Sequence, residues 1–446
     1  ALSAQQAAAL GVAALPAAPA LGVLLSPPSG DVNMFRGTHG EYDNSGYLAR
    51  TEFDFNRNWQ GYVAVGGSEA EGKGLLFGTR AIVVGADGTT RGAIYHVHSR
   101  SERRTAEAGV IGKLETGSVK HRVQVSWNVL KHEEGTPTTP CNSCSVTNMP
   151  TPVPPPVPPA APAQPSYTTN NEFTSLALAD TLSFAEDRVL LTVGARQQNV
   201  EQPLSRYDSS RLSPMLAAVV RPWGGQFAVF GNYTEGLEPG QVVGVAYANA
   251  GETLAPRQTR QKEVGVKLQT GELTHTVSTY QIERSSFISD GALPLPSLVD
   301  DGKQRLTGLE WSVYGRIAPT LSLLGGITHI KSRQLNTGKE TYGTPEWRAR
   351  IGLDWDTPVR GLTVGGRVIH TGSQWVNSAN TLRLPSWNRL DLNFGYETRF
   401  GGTPVQFNAS VENVADKKYW IGTFTDGFVM PGAPRTFRLS AKLSFL

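Results

Sequence analysis

Cysteine is almost absent: Cys141 and Cys144, both inside "PCNSCS", are the only two in 446 residues. That excludes a disulfide framework and a four-cysteine zinc site. Long apolar runs are missing as well. The Ala-rich start is broken by Pro16, Pro19, Pro27 and Pro28 and lacks a positively charged leader, so it reads neither as a transmembrane helix nor as a signal peptide. An excess of one charge sign is also missing, with 41 basic against 38 acidic residues. Without basic clusters interleaved with aromatics, no nucleic-acid partner is expected. No paired carboxylates or activated nucleophile stand out, so the chain is expected not to be an enzyme. The scarcity of cysteine suits an exported protein.

What the chain does have is alternation. In "PRTFRLSAKLSFL", Phe437, Leu439, Ala441, Leu443 and Phe445 hold one parity, and Arg438, Ser440, Lys442 and Ser444 hold the other. "VQFNASVEN", "RLDLNFGYE", "WRARIGLDW" and "EVGVKLQ" repeat the pattern. Side chains of a strand point alternately to opposite faces, so each segment has one apolar and one wet face. Strands of about ten residues with this period predict an all-β, transmembrane antiparallel β-barrel. The rival is a soluble β-sandwich. Full charges on the polar parity suit a hydrated lumen, and aromatics at strand ends, such as Trp347 and Trp355, suit membrane girdles.

Connection lengths agree with the barrel. Tight turns at 55–60, 115–120, 221–226, 269–273 and 399–404 alternate with long polar loops near 70–102, 134–171, 236–258, 286–303, 334–345, 374–386 and 415–433. Outer-membrane barrels place short turns on the periplasmic side and long loops outside. The expected strand count is about 17.

Several stretches resemble TonB-dependent siderophore receptors. They are "LLTVGARQQ", "SPMLAAVVRPWGGQFAVFGNYTEGLEPG" (213–240), "TRQKEVGVKLQTG", "QRLTGLEWSVYGRI" and "NASVENVADKKYW", in that order. Such receptors are 22-stranded outer-membrane barrels with a plugged lumen. The resemblance implies that residues 45–446 are the C-terminal part of such a barrel, about 17 of 22 strands, entering near the sixth. It also implies that residues 1–44 are an irregular segment, read as a long extracellular loop, and that the TonB box, plug domain and first hairpins are absent. The implied function is import of a ferric siderophore across a Gram-negative outer membrane. No covalent cofactor is expected; the ferric siderophore is the transported ligand. The implied partners are that ligand, the TonB complex, reached through the missing region, and outer-membrane lipid, with the chain a monomer. The alternatives are a passive porin-like channel or a non-transporting remnant, and a secreted soluble β enzyme.

A bulky chelate needs aromatic area and cations from outer loops and the upper lumen. The candidates are Tyr233, Tyr342, Trp375, Tyr419, Trp420 and Arg435. Cys141 and Cys144 could be redox-active, metal-binding or a loop-closing disulfide; the Pro-rich context and expected extracellular position favour the disulfide. "PTPVPPPVPPAAPAQP" reads as a polyproline II projection. No metal site is expected: His96 and His98 lack a third ligand at a recognisable spacing, and "GADGTTRG" lacks EF-hand spacing. His329 and His370 read as rim residues.

Overall fold

A computed structural model describes residues 24–32, 39–75, 80–153, 160–163, 166–205, 207–238, 254–289 and 297–444, with isolated positions between 240 and 252. The described residues are nearly all strand. In chain order these are β1 (Gly40–Asp54), β2 (Trp59–Leu75), β3 (Arg80–Val83), β4 (Thr89–Thr116), β5 (Val119–Gly135), β6 (Thr138–Asn148), β7 (Thr169–Phe184) and β8 (Val189–Gln202). Next come β9 (Tyr207–Val220), β10 (Phe227–Glu238), β11 (Arg257–Thr270), β12 (Leu273–Ser289), β13 (Leu298–Ala318), β14 (Leu321–Gln334), β15 (Trp347–Asp356) and β16 (Leu362–Thr371). The last are β17 (Gln374–Trp375), β18 (Arg383–Leu384), β19 (Trp387–Phe400), β20 (Thr403–Glu412), β21 (Trp420–Thr425), β22 (Phe428–Pro431) and β23 (Thr436–Leu443).

Nineteen strands share one sheet, and β17–β18 and β21–β22 form two small hairpins. Within the large sheet β3 and β6 pair only with β4. The other seventeen run as an antiparallel meander from β1 to β23, each hydrogen-bonded to its neighbours in the chain. The meander matches the expected count and the all-β, barrel-type fold. Among the described residues β1 pairs only with β2, and β23 only with β20.

Cross-strand partners share a face, so register carries the alternation across the sheet. Ile351 lies between Gly325 and Val368, and Phe394 between Val364 and Ala409. These rows make an outward apolar face on which Leu439 is 80 % and Val264 58 % exposed. A large apolar surface left open to this degree marks an interface, here with lipid. Trp347 and Trp355 end β15 on that face. Eight residues at about 3.3 Å each set them about 26 Å apart along the strand, about 20 Å of height at a barrel strand's tilt, which is most of the apolar band.

The other face is polar. Arg367 Nε and Arg389 Nη2 both bond Asp391 Oδ2 at 2.9 Å, and Arg438 Nε lies 3.4 Å from Glu412 Oε1. Asn393 Nδ2 donates to Asp354 Oδ1 at 2.9 Å. Asp354, Asn393 and Arg438 border a recess of about 910 Å³ along β15–β23.

Two features differ from expectation. Residues 70–102 and 134–171 are not plain loops: β2 and β4 run on together as a ribbon, flanked by β3 and β6. The ribbon buries Leu75, Ile94 and Val97, but these stand among glycines and polar residues, so no sustained apolar period marks it in the sequence. Cys141 and Cys144 therefore lie within β6, where the backbone of Cys141 pairs with Ile94 and the register slips between Gly92 and Ala93. Their side chains fall outside the described residues, as do residues 1–23, half of the polyproline stretch, and Phe445 with Leu446.

The short turns rely on glycine. Gly401 and Gly402, at φ 56° and 90°, close the β19–β20 hairpin as two-residue turns of this hand require. Gly361, at φ 79°, lies so near β19 that a Cβ would meet Glu397 O at 2.2 Å. Its carbonyl accepts from Glu397 N at 2.8 Å. Gly361→Val should therefore cost about 2 kcal/mol or more, from a left-handed β-branched residue and a displaced backbone. A lowered unfolding temperature in detergent checks this, and an unchanged one refutes it.

Candidate functional site

The site is built where the outer loops meet. "NVADKKY" begins the β20–β23 loop, and the structure shows what each of its polar residues does. Asn413, fully buried at φ 52°, donates its N–H to Asp391 Oδ1 at 2.9 Å. Its side-chain amide donates to Lys417 O and Ala433 O, both at 3.0 Å, and its carbonyl accepts from Lys417 N at 2.9 Å. Asp416 Oδ1 accepts from Arg435 N, and Arg435 Nε donates to Val414 O, each at 2.9 Å. The run is a clasp joining the two legs of the loop, and Asp391 fastens it to the wall.

Above this clasp three loops converge. Gly343 N, between β14 and β15, donates to Trp375 O at 2.9 Å, and Gly343 also lies against Thr423 of β21. Trp375 Nε1 donates to Glu340 Oε2 at 3.0 Å, and the guanidinium of Arg383 stands 5.4 Å from its ring centre. Asn380 Nδ2 donates to Glu340 O at 3.0 Å, while Ser378 donates to both oxygens of Asp426. Among these bonds, the buried hydroxyls of Thr341 and Thr423 have no protein partner. Buried polar groups are normally paired, so such a pair beside aromatic rings and a cation marks a place for a ligand or water.

An apolar cluster ties the loops to more distant parts of the chain. Met149, Val376, Leu384 and Trp420 are buried together, with Leu24 and Leu25 packed against them. Trp420 Nε1 donates to Leu25 O at 3.0 Å. The Arg80 guanidinium of β3 lies 5.1 Å from the ring centre of Phe428 on β22. Thus loops from the two ends of the meander touch at the outer rim, and the sheet is curled. Asp31, in the same N-terminal stretch, has its carboxyl held below the usual range, chiefly by the Ser29 hydroxyl and backbone N–H, with Lys418 adding to this.

The six residues singled out from the sequence divide clearly. Trp375 stands at the convergence, and Tyr342 precedes Gly343, whose N–H bonds the Trp375 carbonyl. Tyr419 and Trp420 are buried, Tyr419 against Trp387 at 4.5 Å between ring centres. Arg435 belongs to the clasp. Tyr233 points away from the lumen: its row partner is Lys262, and the adjacent row passes through Val264 of the outward face. The expectation of an upper-lumen position for Tyr233 is corrected accordingly; β10 enters its outer end with odd positions outward. Sequence reading missed Arg383, Thr341 and Thr423, which only the loop folding brings together. His98 of β4, by contrast, is buried with Nε2 at 2.7 Å from Glu71 Oε1.

Comparison with known proteins decides the family. Residues 10–414 match the TonB dependent receptor-like β-barrel. The chain belongs to the TonB-dependent receptor β-barrel family. It is an outer-membrane β-barrel protein, and the family's members are receptors and transporters. It is 27% identical over 457 residues to the ferrichrome receptor FcuA of Yersinia enterocolitica, covering 95% of this chain and 59% of that protein. Over 205 residues it is 28% identical to the ferrioxamine receptor of the same species, covering 43% of this chain and 28% of that one. The crystal structure of BauA, the ferric preacinetobactin receptor from Acinetobacter baumannii, superposes with a TM-score of 0.83 at 30% identity, over 95% of this chain and 66% of that one. The chain thus spans about 59% of the length of FcuA.

Asp391 is 3% exposed and holds two guanidinium groups and the clasp. Removing it leaves the half-buried Arg389 with only Glu412 at 3.8 Å and the Asn413 N–H without its acceptor, a loss of about 2 kcal/mol. Asp391→Ala should make the 413–435 loop sensitive to protease while the sheet still resists detergent denaturation. Equal protease resistance in variant and parent would refute the clasp.

Proposed function

We propose that this chain supplies most of the barrel wall of a receptor that imports a ferric siderophore. The observation that carries the proposal is the convergence of Tyr342, Trp375 and Arg383, beside the unpaired hydroxyls of Thr341 and Thr423, over a polar inner wall. Aromatic rings give contact area, and the cation offsets the charge of an anionic chelate. FcuA and BauA are named as receptors for ferrichrome and ferric preacinetobactin, which supports this class of cargo.

On this reading residues 45–446 are part of a larger barrel. Unpaired backbone groups in lipid cost several kcal/mol each, so the free edges of β1 and β23 need strand partners in the membrane. The polar inner face along β15–β23 would face a plug, and transport energy would come from TonB in the periplasm. The contacts of Leu24 and Leu25 with Trp420 support reading the N-terminal segment as an outer loop. A disulfide between Cys141 and Cys144 remains part of the proposal.

The test uses the receptor expressed from its whole coding sequence, titrated with ferrichrome, ferrioxamine B and ferric preacinetobactin. The preferred chelate should bind Tyr342→Ala and Trp375→Ala about tenfold more weakly, the usual loss for an aromatic anchor. Full affinity in both variants would exclude this site. Uptake that persists without TonB would instead support the passive channel.

A further inference from the structure

At one place on the inner wall, basic side chains outnumber their acceptors. Arg348 and Arg350 lie two apart on β15 and so share a face. Arg348 pairs across the sheet with Thr371, which in turn pairs with Trp387. Arg350 pairs with Ile369, which pairs with Arg389. Two strand spacings are about 10 Å, so the long side chains of Arg350 and Arg389 can meet over Ile369. Tyr419 of the last long loop packs here as well. Its ring lies 4.5 Å from that of Trp387, its Oη accepts from Arg389 Nη1 at 3.5 Å, and it is buried in one cluster with Ile369 and Trp387. Tyr419 therefore draws the Trp387 and Arg389 side chains to the same spot.

The acceptors around this spot do not suffice. Asp391 Oδ2 is shared by Arg367 and Arg389 at 2.9 Å each, and Oδ1 takes the Asn413 N–H. Glu412 stands 3.8 Å from Arg389 and 3.4 Å from Arg438. Glu310 lies in the row of Arg348 but two strands away, across Thr328. Arg348 and Arg350, both exposed, have no ion-pair partner among the described residues. Two donors in the interior are also left over. Trp387 Nε1, on a side chain only 7% exposed, and Arg389 Nε are buried without an acceptor. A buried indole N–H normally finds a partner. Water would satisfy it, yet would leave the gathered guanidinium charges to repel one another; an anion satisfies both.

We propose that this place binds a small tetrahedral oxyanion of the sulfate or phosphate class. Trp387 Nε1 and Arg389 Nε donate from the wall, and Arg348 and Arg350 close over the ion from the lumen. The oxygens of such an ion suit donors arriving from several directions, and guanidinium groups bind them through paired N–H groups. Tyr419 and the Asp391 clasp share Arg389, so the ion also fastens the 413–435 loop to the wall. None of these donors belongs to the convergence at Trp375, and the inference does not depend on what the receptor imports.

To test it, the receptor expressed from its whole coding sequence is purified in nonionic detergent with chloride as the sole anion. Sodium sulfate or phosphate is then titrated by calorimetry at constant ionic strength. The parent should bind one oxyanion per chain, with a raised unfolding temperature. R350Q should bind about tenfold more weakly and R348Q/R350Q about a hundredfold, the scale of charge-assisted hydrogen bonds. W387F, which keeps an aromatic ring and removes the N–H, should lose about fivefold. K442Q, elsewhere on the inner wall, should bind as the parent does. Sulfate should also slow protease cleavage within 413–435 in the parent and not in R348Q/R350Q. If W387F does not assemble, the arginine variants carry the test. Equal sulfate binding by the parent and these variants would overturn the proposal. So would a parent that binds no oxyanion, because another part of the protein would then occupy the donors. Chloride that competes on equal terms with sulfate would reduce the effect to charge screening and overturn it too.

Discussion

Lipid offers no hydrogen bonds, and every other feature of the chain follows from that constraint. A backbone crossing a bilayer as strands must pair each N–H and C=O with a neighbouring strand. The meander from β1 to β23 does this for all its inner strands. Once the strands are paired, side chains have only two directions available, lipid or lumen. The period of two therefore divides the chemistry of the protein. Leu390, Leu392 and Phe394 go outward, while Arg389, Asp391 and Asn393 go inward on the same strand.

The division places the functional elements. Inside, Asp391 gathers Arg367, Arg389 and the N–H of Asn413, so the wall itself fixes the start of the last long loop. That loop and its two neighbours then lock through Glu340, Asn380, Ser378 and Asp426. The aromatic and cationic groups of Tyr342, Trp375 and Arg383 are thereby held on a hydrogen-bonded frame anchored to the sheet. Outside, the same parity that exposes Val264 and Leu309 presents Lys262, Arg305 and Arg333 once the strands pass the apolar band.

Much of this fold was legible in the sequence because alternation is a local signal. "WRARIGLDW" and "RLDLNFGYE" declare their faces residue by residue, and the tight turns announce themselves through glycine. The β2–β4 ribbon was not legible, since its few buried side chains, Leu75, Ile94 and Val97, are scattered among glycines and polar residues. The site was legible only in part. Tyr342 and Trp375 could be chosen as loop aromatics, but Arg383 meets Trp375 only through the β17–β18 hairpin, and Thr423 meets Gly343 only through loop packing. Tyr233 misled because a polar tip at a strand end suits the rim of either face. The resemblance of "NVADKKY" to its family carried no mechanism until Asn413 and Asp416 were seen to clasp the loop.

The central claim is that one face of this sheet meets lipid and the other meets water. Spin labels placed singly at residues 348–354 of β15, in the protein reconstituted into bilayers, test it most directly. Labels at Ala349, Ile351 and Leu353 should be relaxed by dissolved oxygen, and those at Arg348, Arg350, Gly352 and Asp354 by a water-soluble nickel chelate. Access of the chelate to both sets alike would contradict the account.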